Sequence, residues 1–281
     1  MLLEKVIATR KQISVSGVQE KIGVVRRGNQ LQLLRPNERS THLLKPIPRD
    51  LLRVGQVPAN EHLTMQIARQ VYGLDVAANA LMFFQTGEPV YVTRRFDIRP
   101  DGSKANVVDF AALMGVTTAN AGSYYKYEAS YETVAQLLQQ YSALPELDTE
   151  RFFQLVIFNF LFGNGDAHLK NFSLLETQSD RYRLSPAYDL LNTSLHVRDT
   201  DFALSEGLFA NQKTDPNPER PDFITFGTTI DLSLDRATHL LLPFQRRQSE
   251  VEALIARSFL DRAAQNAYRL SYRNRRNRLD R

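Results

Sequence analysis

Apolar positions along the chain change their rhythm near residue 95. Before that point they come in short runs, 21–26, 31–34 and 42–45, separated by RRGN and RPNERS. Such runs between turn residues predict three short strands. APNEHLTMQIARQVYGL then predicts a helix. Asn60 is its candidate N-cap, Leu63, Ile67, Ala68 and Val71 recur at three-to-four spacing, and Gly73 can close it. The runs 80–85 and 89–93, joined by TGE, read as a hairpin.

Past RRFDIRPDGSKAN the pattern turns helical. Helices are predicted over 108–114, 131–141 and 149–162, the last apolar on nearly every face and therefore buried. Two short strands, 172–175 and 181–184, follow around the turn TQSD. Val251, Leu254, Ile255 and Phe259 mark an amphipathic helix near the end, and NQKTDPNPERPDF (211–223) reads as a long polar loop. The order predicts an α+β chain of two lobes with a cleft between them: a β-rich lobe over 1–95 and a helical lobe over 96–281.

Composition narrows the setting. Hydrophobic residues at 43% and charged residues at 23% suit a globular protein, and 281 residues can bury a sizeable core. No apolar run reaches the roughly 18 residues of a spanning helix, and MLLEKVIATRKQ carries charges where a secretory signal needs apolar residues. With no cysteine there can be no disulfide, which fits a cytoplasmic protein. From Gln245 onward ten arginines face four acidic residues, so the last stretch holds +6 and the rest about −2 of the net +4. The tail RLSYRNRRNRLDR reads either as a solvated, partly frayed terminus or as a patch for nucleic acid or an acidic partner.

The buried helix leads directly into GNGDAHLKNFS at 163–173. There Asp166 and Asn171 have the D-x-x-x-x-N spacing of the protein-kinase catalytic loop. Phosphoryl transfer uses such a pair because a carboxylate can take the proton of the attacking hydroxyl, while an amide oxygen can hold Mg2+, a hard cation. Lys170 between them can meet a phosphoryl oxygen. Asp189, in LSPAYDLLN, has the placement of a second metal-binding acid, although capping the next helical turn is its plainer role. ISVSGVQEK (13–21) can offer backbone N–H groups to phosphate, or be only a hairpin turn. Lys45 ends the strand in THLLKP, and Glu61 lies in the first turn of the helix that follows. Kinase folds pair such residues over the α- and β-phosphates, yet a lone strand-end lysine is usually a solvated charge. Each signal is weak alone. Their order, turn, strand lysine, helix glutamate, hairpin, buried helix, loop, β pair and aspartate, is what gives them weight.

ISVSGVQEK, THLLKP, NEHLTMQIAR, RRFDI, NGDAHLKNFS and LSPAYDLL together resemble the HipA-type toxin serine/threonine kinases of bacterial toxin–antitoxin systems, over roughly residues 11–200. The resemblance implies a two-lobed, protein-kinase-like α+β fold, ATP and Mg2+ as cofactors, and phosphorylation of a protein Ser or Thr. Family members act on aminoacyl-tRNA synthetases and so stall translation. Carried over position by position, the resemblance implies Asp166 as catalytic base and Asn171 and Asp189 as metal ligands. It places Gly17, Val18, Gln19, Lys21, Lys45, Arg94, Phe96, His168, Lys170 and Tyr188 about the nucleotide, with Glu20 in the same phosphate-side loop and Phe96 at the hinge. Ser14 matches the serine that family members autophosphorylate to silence themselves, and Ser16 offers a second acceptor.

Two departures stand out. Full-length HipA proteins carry a further subdomain ahead of this loop, so the present start resembles the shorter HipT form, whose missing piece is a separate small antitoxin. A partner of that kind is therefore expected, together with a helix-turn-helix DNA-binding protein. Direct DNA contact by this chain would be weak at most, and no membrane association is expected. At the hinge, Thr93-Arg94-Arg95 stands where the family often has an acidic residue. Two rivals stay open: an inactive nucleotide-binding module working through complex formation beside DNA, and a small-molecule phosphotransferase, a class that lacks SGVQEK and LLKP.

Overall fold

The computed structural model describes residues 20–48, 51–177, 181–197, 200–211 and 217–281. The first five strands are β1 (Ile22–Arg27), β2 (Gln30–Leu33), β3 (His42–Lys45), β4 (Asn79–Phe83) and β5 (Pro89–Arg94). They form an antiparallel sheet in the order β2-β1-β3-β5-β4. Gly28, at φ +59°, supplies the positive dihedral that the tight β1–β2 turn needs. Alternation along β3 sets the chemistry of the two faces. Leu44 joins Val24, Val90 and Val92 in a small apolar cluster, while Lys45 and its register partner Tyr91 fall on the opposite face.

Helix α1 (Val57–Gln70) packs on β4 and β5. It starts three residues before the predicted cap, with Pro58 in the first turn, where a missing N–H costs nothing. Asn60 is therefore not a cap. It is fully buried and stitches α1 to a distant segment: its amide donates to Asn192 O at 2.9 Å and pairs with His196 Nε2 at 2.8 Å, while its Oδ1 accepts the Asn192 N–H at 3.1 Å. Glu61 accordingly sits in the second turn, not the first. Gly73 closes the helix at φ +66°, as expected.

The larger lobe is built on α2 (Tyr131–Tyr141) and α3 (Pro145–Leu161). α3 buries Phe152, Phe153, Phe158 and Phe160 completely, and each would cost about 3–5 kcal/mol to truncate to alanine. The expected helix over 108–114 is instead strand β6 (Val107–Asp109) followed by one helical turn, Phe110–Leu113. The β-branched Val107 and Val108 pair with β7 (Ser173–Glu176), and Asp109 caps the turn by accepting the Ala112 N–H at 2.8 Å. Strand β8 (Tyr182–Leu184) completes this small sheet.

Four helices end the chain: α4 (Arg220–Thr229), α5 (Leu234–Arg246), α6 (Gln248–Ala256) and α7 (Arg262–Leu279). Phe259 falls outside α6 and is 61% exposed, so it does not extend that helix's apolar face. The basic tail is helical rather than frayed. Ala264, Tyr268, Tyr272 and Leu279 bury one face of α7, and most of its arginines are paired. Arg275 and Arg278 meet Asp201, Arg269 and Arg273 meet Glu252, and Arg281 meets Glu219. Among the described residues, no helix is long and apolar enough to cross a membrane.

Candidate active site

Lys45 is the centre of a buried ion cluster. Its Nζ lies 2.5 Å from Glu61 Oε1 and 2.5 Å from Asp189 Oδ1, and Lys21 Nζ meets Asp189 Oδ2 at 3.1 Å. Tyr91 offers its ring face to Lys45, 5.3 Å from the centroid. Burial by itself would lower the Lys45 pKa, but the carboxylates of Asp189 and Glu61 outweigh it and hold the ammonium above the usual lysine range. Burial pushes Glu61 up to about 7 against the pull of Lys45. Its Oε2 is buried with no hydrogen-bond partner among the described residues. For Asp189 burial acts upward, yet Lys45 and Lys21 hold the carboxyl well below its ordinary range.

Asp189 also has a backbone φ of +57°, which few residues other than glycine adopt. It caps no helix, since Asn192 precedes the next turn, Thr193–Leu195. The segment before it is clamped to the stretch after α1: the Ala187 N–H donates to Asp75 O, and the Ala77 N–H donates to Ala187 O.

The 163–173 loop is held from three sides. Gly163 turns it out of α3 at φ +62°, and its carbonyl accepts from both the N–H and the hydroxyl of Thr193 at 2.9 Å. Gly165 N–H donates to Thr193 Oγ1 at 2.8 Å. Asn164 is buried and donates to Asn159 Oδ1 at 2.9 Å and to Asp189 O at 3.4 Å. Tyr188 donates to Lys170 O at 2.9 Å and pairs with Ser173 Oγ at 2.5 Å. The loop and the strained aspartate are thus one hydrogen-bonded unit.

Within it, Asp166 has a half-exposed side chain and accepts a hydrogen bond from the Tyr127 hydroxyl at 2.8 Å. His168 Nε2 lies 4.0 Å from Asp166 Oδ1, and Nδ1 accepts the Lys170 N–H. Burial pushes His168 down to about 4 despite the nearby Asp166, so the ring is neutral at pH 7. Asn171 turns its Oδ1 toward the His168 N–H at 3.2 Å and keeps a second lone pair. Lys170 reaches Asp109 at 3.5 Å. Phe96 packs tilted on Tyr188, with centroids 5.6 Å apart. Arg94 ends β5 exposed, while Arg95 forks onto Asp97 at 2.6 and 2.9 Å.

Lys45, Lys21, Glu61 and Asp189 therefore come together, and Asp166, His168, Lys170 and Asn171 share the loop bonded to the Asp189 segment. Ser14, Ser16, Gly17, Val18 and Gln19 lie outside the described residues. Tyr127 carried no signal in the sequence, because its contact with Asp166 spans 39 positions; Asn164 lies inside the NGDAHLKNFS string, and Asp109 caps a turn only three residues on. Among the described residues, no group of three or more His, Asp or Glu side chains could hold a metal ion. Asp189 and Asn171 offer one carboxylate and one amide oxygen, a hard donor set. That suits Mg2+ completed by phosphate and water.

A family model described as the HipA-like C-terminal domain matches residues 13–263. A Haemophilus influenzae protein named "Putative kinase" is 25% identical over 285 residues, covering 94% of this chain and 80% of its own length. The serine/threonine-protein kinase toxin HipA of Shewanella oneidensis is 26% identical over 227 residues, 74% of this chain but only 49% of that relative. The solved Shewanella oneidensis complex of HipA, HipB and operator DNA superposes with a TM-score of 0.78 at 21% identity, over 98% of this chain and 70% of the solved one. That likeness confirms the two-lobed kinase-like α+β fold.

Proposed function

The chain belongs to the family of HipA-like C-terminal domains, and from that premise we propose that it is an ATP-dependent serine/threonine-protein kinase serving as the toxin of a bacterial toxin–antitoxin system. The observation that carries the reading is the Lys45–Glu61–Asp189 cluster, assembled from residues up to 144 positions apart. Nothing in ordinary fold stability calls for a buried lysine with two carboxylates, one of them strained and the other short of a partner.

In this reading Lys45, charged at every working pH, neutralises phosphate oxygens, and Glu61 holds it in place. Lys21 and the loop before it, with Gly17, Val18 and Gln19, flank the phosphates. Asp189 and Asn171 hold Mg2+, which when bound shields the negative charge of the triphosphate. Asp166 orients the incoming hydroxyl and takes its proton, and Lys170 meets the transferring group. Neutral His168 fixes the loop through its Nδ1. Phe96, Tyr188 and Arg94 line the nucleotide side of the hinge, with residue 95 as the boundary between lobes.

The substrate class is a protein hydroxyl, with an aminoacyl-tRNA synthetase the family's precedent. Phosphorylation of Ser14 or Ser16 would place a dianion against ATP's own phosphates and lower activity. An antitoxin partner is supported by the HipB complex of the Shewanella oneidensis protein. The pairing of Arg269, Arg273, Arg275, Arg278 and Arg281 with Asp201, Glu252 and Glu219 favours the kinase reading over the DNA-contact rival.

The test is transfer of labelled phosphate from ATP with Mg2+, to the chain itself or to proteins in a cell extract. Asp166→Ala is expected to abolish it while the melting temperature stays within a few degrees. Equal labelling by both proteins would overturn the assignment of the base. No labelling by either would overturn the kinase reading.

A further inference from the structure

The segment between the one-turn helix Thr118–Ala121 and α2 presents the run Tyr124, Tyr125, Lys126, Tyr127 to the catalytic loop. Two of its phenols engage that loop directly. Tyr125 lies close enough to Lys170 to help hold its ammonium above the usual range, and the Tyr127 hydroxyl donates to Asp166 Oδ1 at 2.8 Å. The Tyr127 ring is fixed as well as its hydroxyl. It meets His168 edge-on with centroids 5.3 Å apart, and Lys126 Nζ lies 4.8 Å from its centroid. The turn at 205–206 ties the segment down, with the Ser205 N–H donating to Tyr127 O at 2.8 Å.

We propose that Tyr127 is an autophosphorylation site, modified in cis, with its phenol occupying the place of the substrate hydroxyl on Asp166. This rests on the kinase reading of Asp166 but goes beyond it, since it names a tyrosine acceptor where the family resemblance points only to Ser14 and Ser16. A nucleophile already hydrogen-bonded to its general base is the arrangement that activation of a hydroxyl requires. Tyr127 Oη attacks the γ-phosphorus of ATP and forms a new O–P bond. The bond from that phosphorus to the β,γ-bridging oxygen breaks, its electron pair leaves with ADP, and the phenol proton passes to Asp166 and then to water. The product carries a dianion beside the Asp166 carboxylate, and like-charge repulsion then drives the segment off the loop. Modification would clear the base for a foreign hydroxyl.

The experiment incubates the purified full chain with Mg2+ and γ-labelled ATP and maps phosphate by mass spectrometry. Phosphotyrosine is expected at residue 127, appearing with a first-order rate that dilution of the protein leaves unchanged. Tyr127→Phe loses that one phosphopeptide and Asp166→Ala loses all label, with thermal melts showing that both variants fold. Label on serine or threonine with Tyr127 unmodified sinks the proposal and leaves the kinase reading standing. Tyr127 would then be a positioning residue for Asp166. A rate that falls on dilution refutes the cis geometry. No label on any residue or on any extract protein overturns both readings together.

Discussion

Asp148 and Asp189 both face cations across a short gap, yet their surroundings differ in every other respect. Asp148 is fully buried at the start of α3, where Arg183 forks onto it at 2.8 Å twice, Ser142 donates at 2.6 Å and the Leu184 N–H at 2.9 Å. Each oxygen is satisfied by protein alone, and the group joins α3 to β8. Asp189 keeps a side chain 22% exposed, a left-handed backbone, two lysines for partners and a neighbouring glutamate with an orphan oxygen. One cluster is complete as it stands. The other keeps a left-handed backbone and an unpartnered buried oxygen among the described residues. Buried charge thus serves cohesion at Asp148, while in the proposed reading the charge at Asp189 awaits the phosphates of ATP.

Substitution separates the two roles. Asp189→Asn should lower phosphate transfer about 10²–10³-fold, as loss of a preorganised charge does, with little change in melting temperature. A variant that unfolded while keeping its transfer rate per folded molecule would erase the contrast. Asp148→Ala should do the reverse: about 1–3 kcal/mol of stability is lost, because the buried Leu184 N–H is left without its acceptor and the partly exposed Arg183 without its carboxylate. Urea denaturation would read that loss, and the transfer rate of the folded fraction should hold.

Acid sharpens the same comparison. Arg183, Ser142 and the Leu184 N–H hold Asp148 below the ordinary carboxylate range against the opposing effect of burial. Its stabilisation is therefore present above that range and lost as pH falls through it. Burial lowers His196 beneath the usual histidine value. The unfolded chain then takes up a proton that the fold refuses, so stability is full above that value and declines as pH falls below it. Melting temperature should drop first on this histidine limb and again on the carboxylate limb. Asp148→Asn should flatten only the second. The smallest effect is expected at Gly163, where a side chain at φ +62° costs about 1–2 kcal/mol and a Cβ would stand 3.1 Å from both Arg275 and Asn192. A calorimetric scan of Gly163→Ala showing no loss would mean that the loop does not depend on this turn.

Elements whose periodicity reflects burial were legible along the chain. β3 and α2 fall where the pattern puts them, and α3 was recognised because apolar residues on every face leave a helix no exposed side. At 108–114 the pattern found the helical turn Phe110–Leu113 but missed strand β6, since seven residues are too few to tell helix from strand when the decision rests on pairing with β7. Asn60 looked like a cap because capping is local, whereas its partners, Asn192 and His196, are more than a hundred residues away. The basic tail looked solvated because nothing along the chain ties Arg275 and Arg278 to Asp201.

Linear spacing alone determined which residue types could serve phosphoryl transfer, Asp166 with Asn171 and Lys45 with Glu61, because chemistry fixes residue types and helix or loop geometry fixes their short separations. Tertiary structure decided the rest: that Lys45 lies between Glu61 and Asp189, that Asp189 is held in a left-handed conformation, and that Tyr127 rests on Asp166. Those depend on contacts between segments far apart in the chain, where burial, register and charge act together and no local pattern records the outcome.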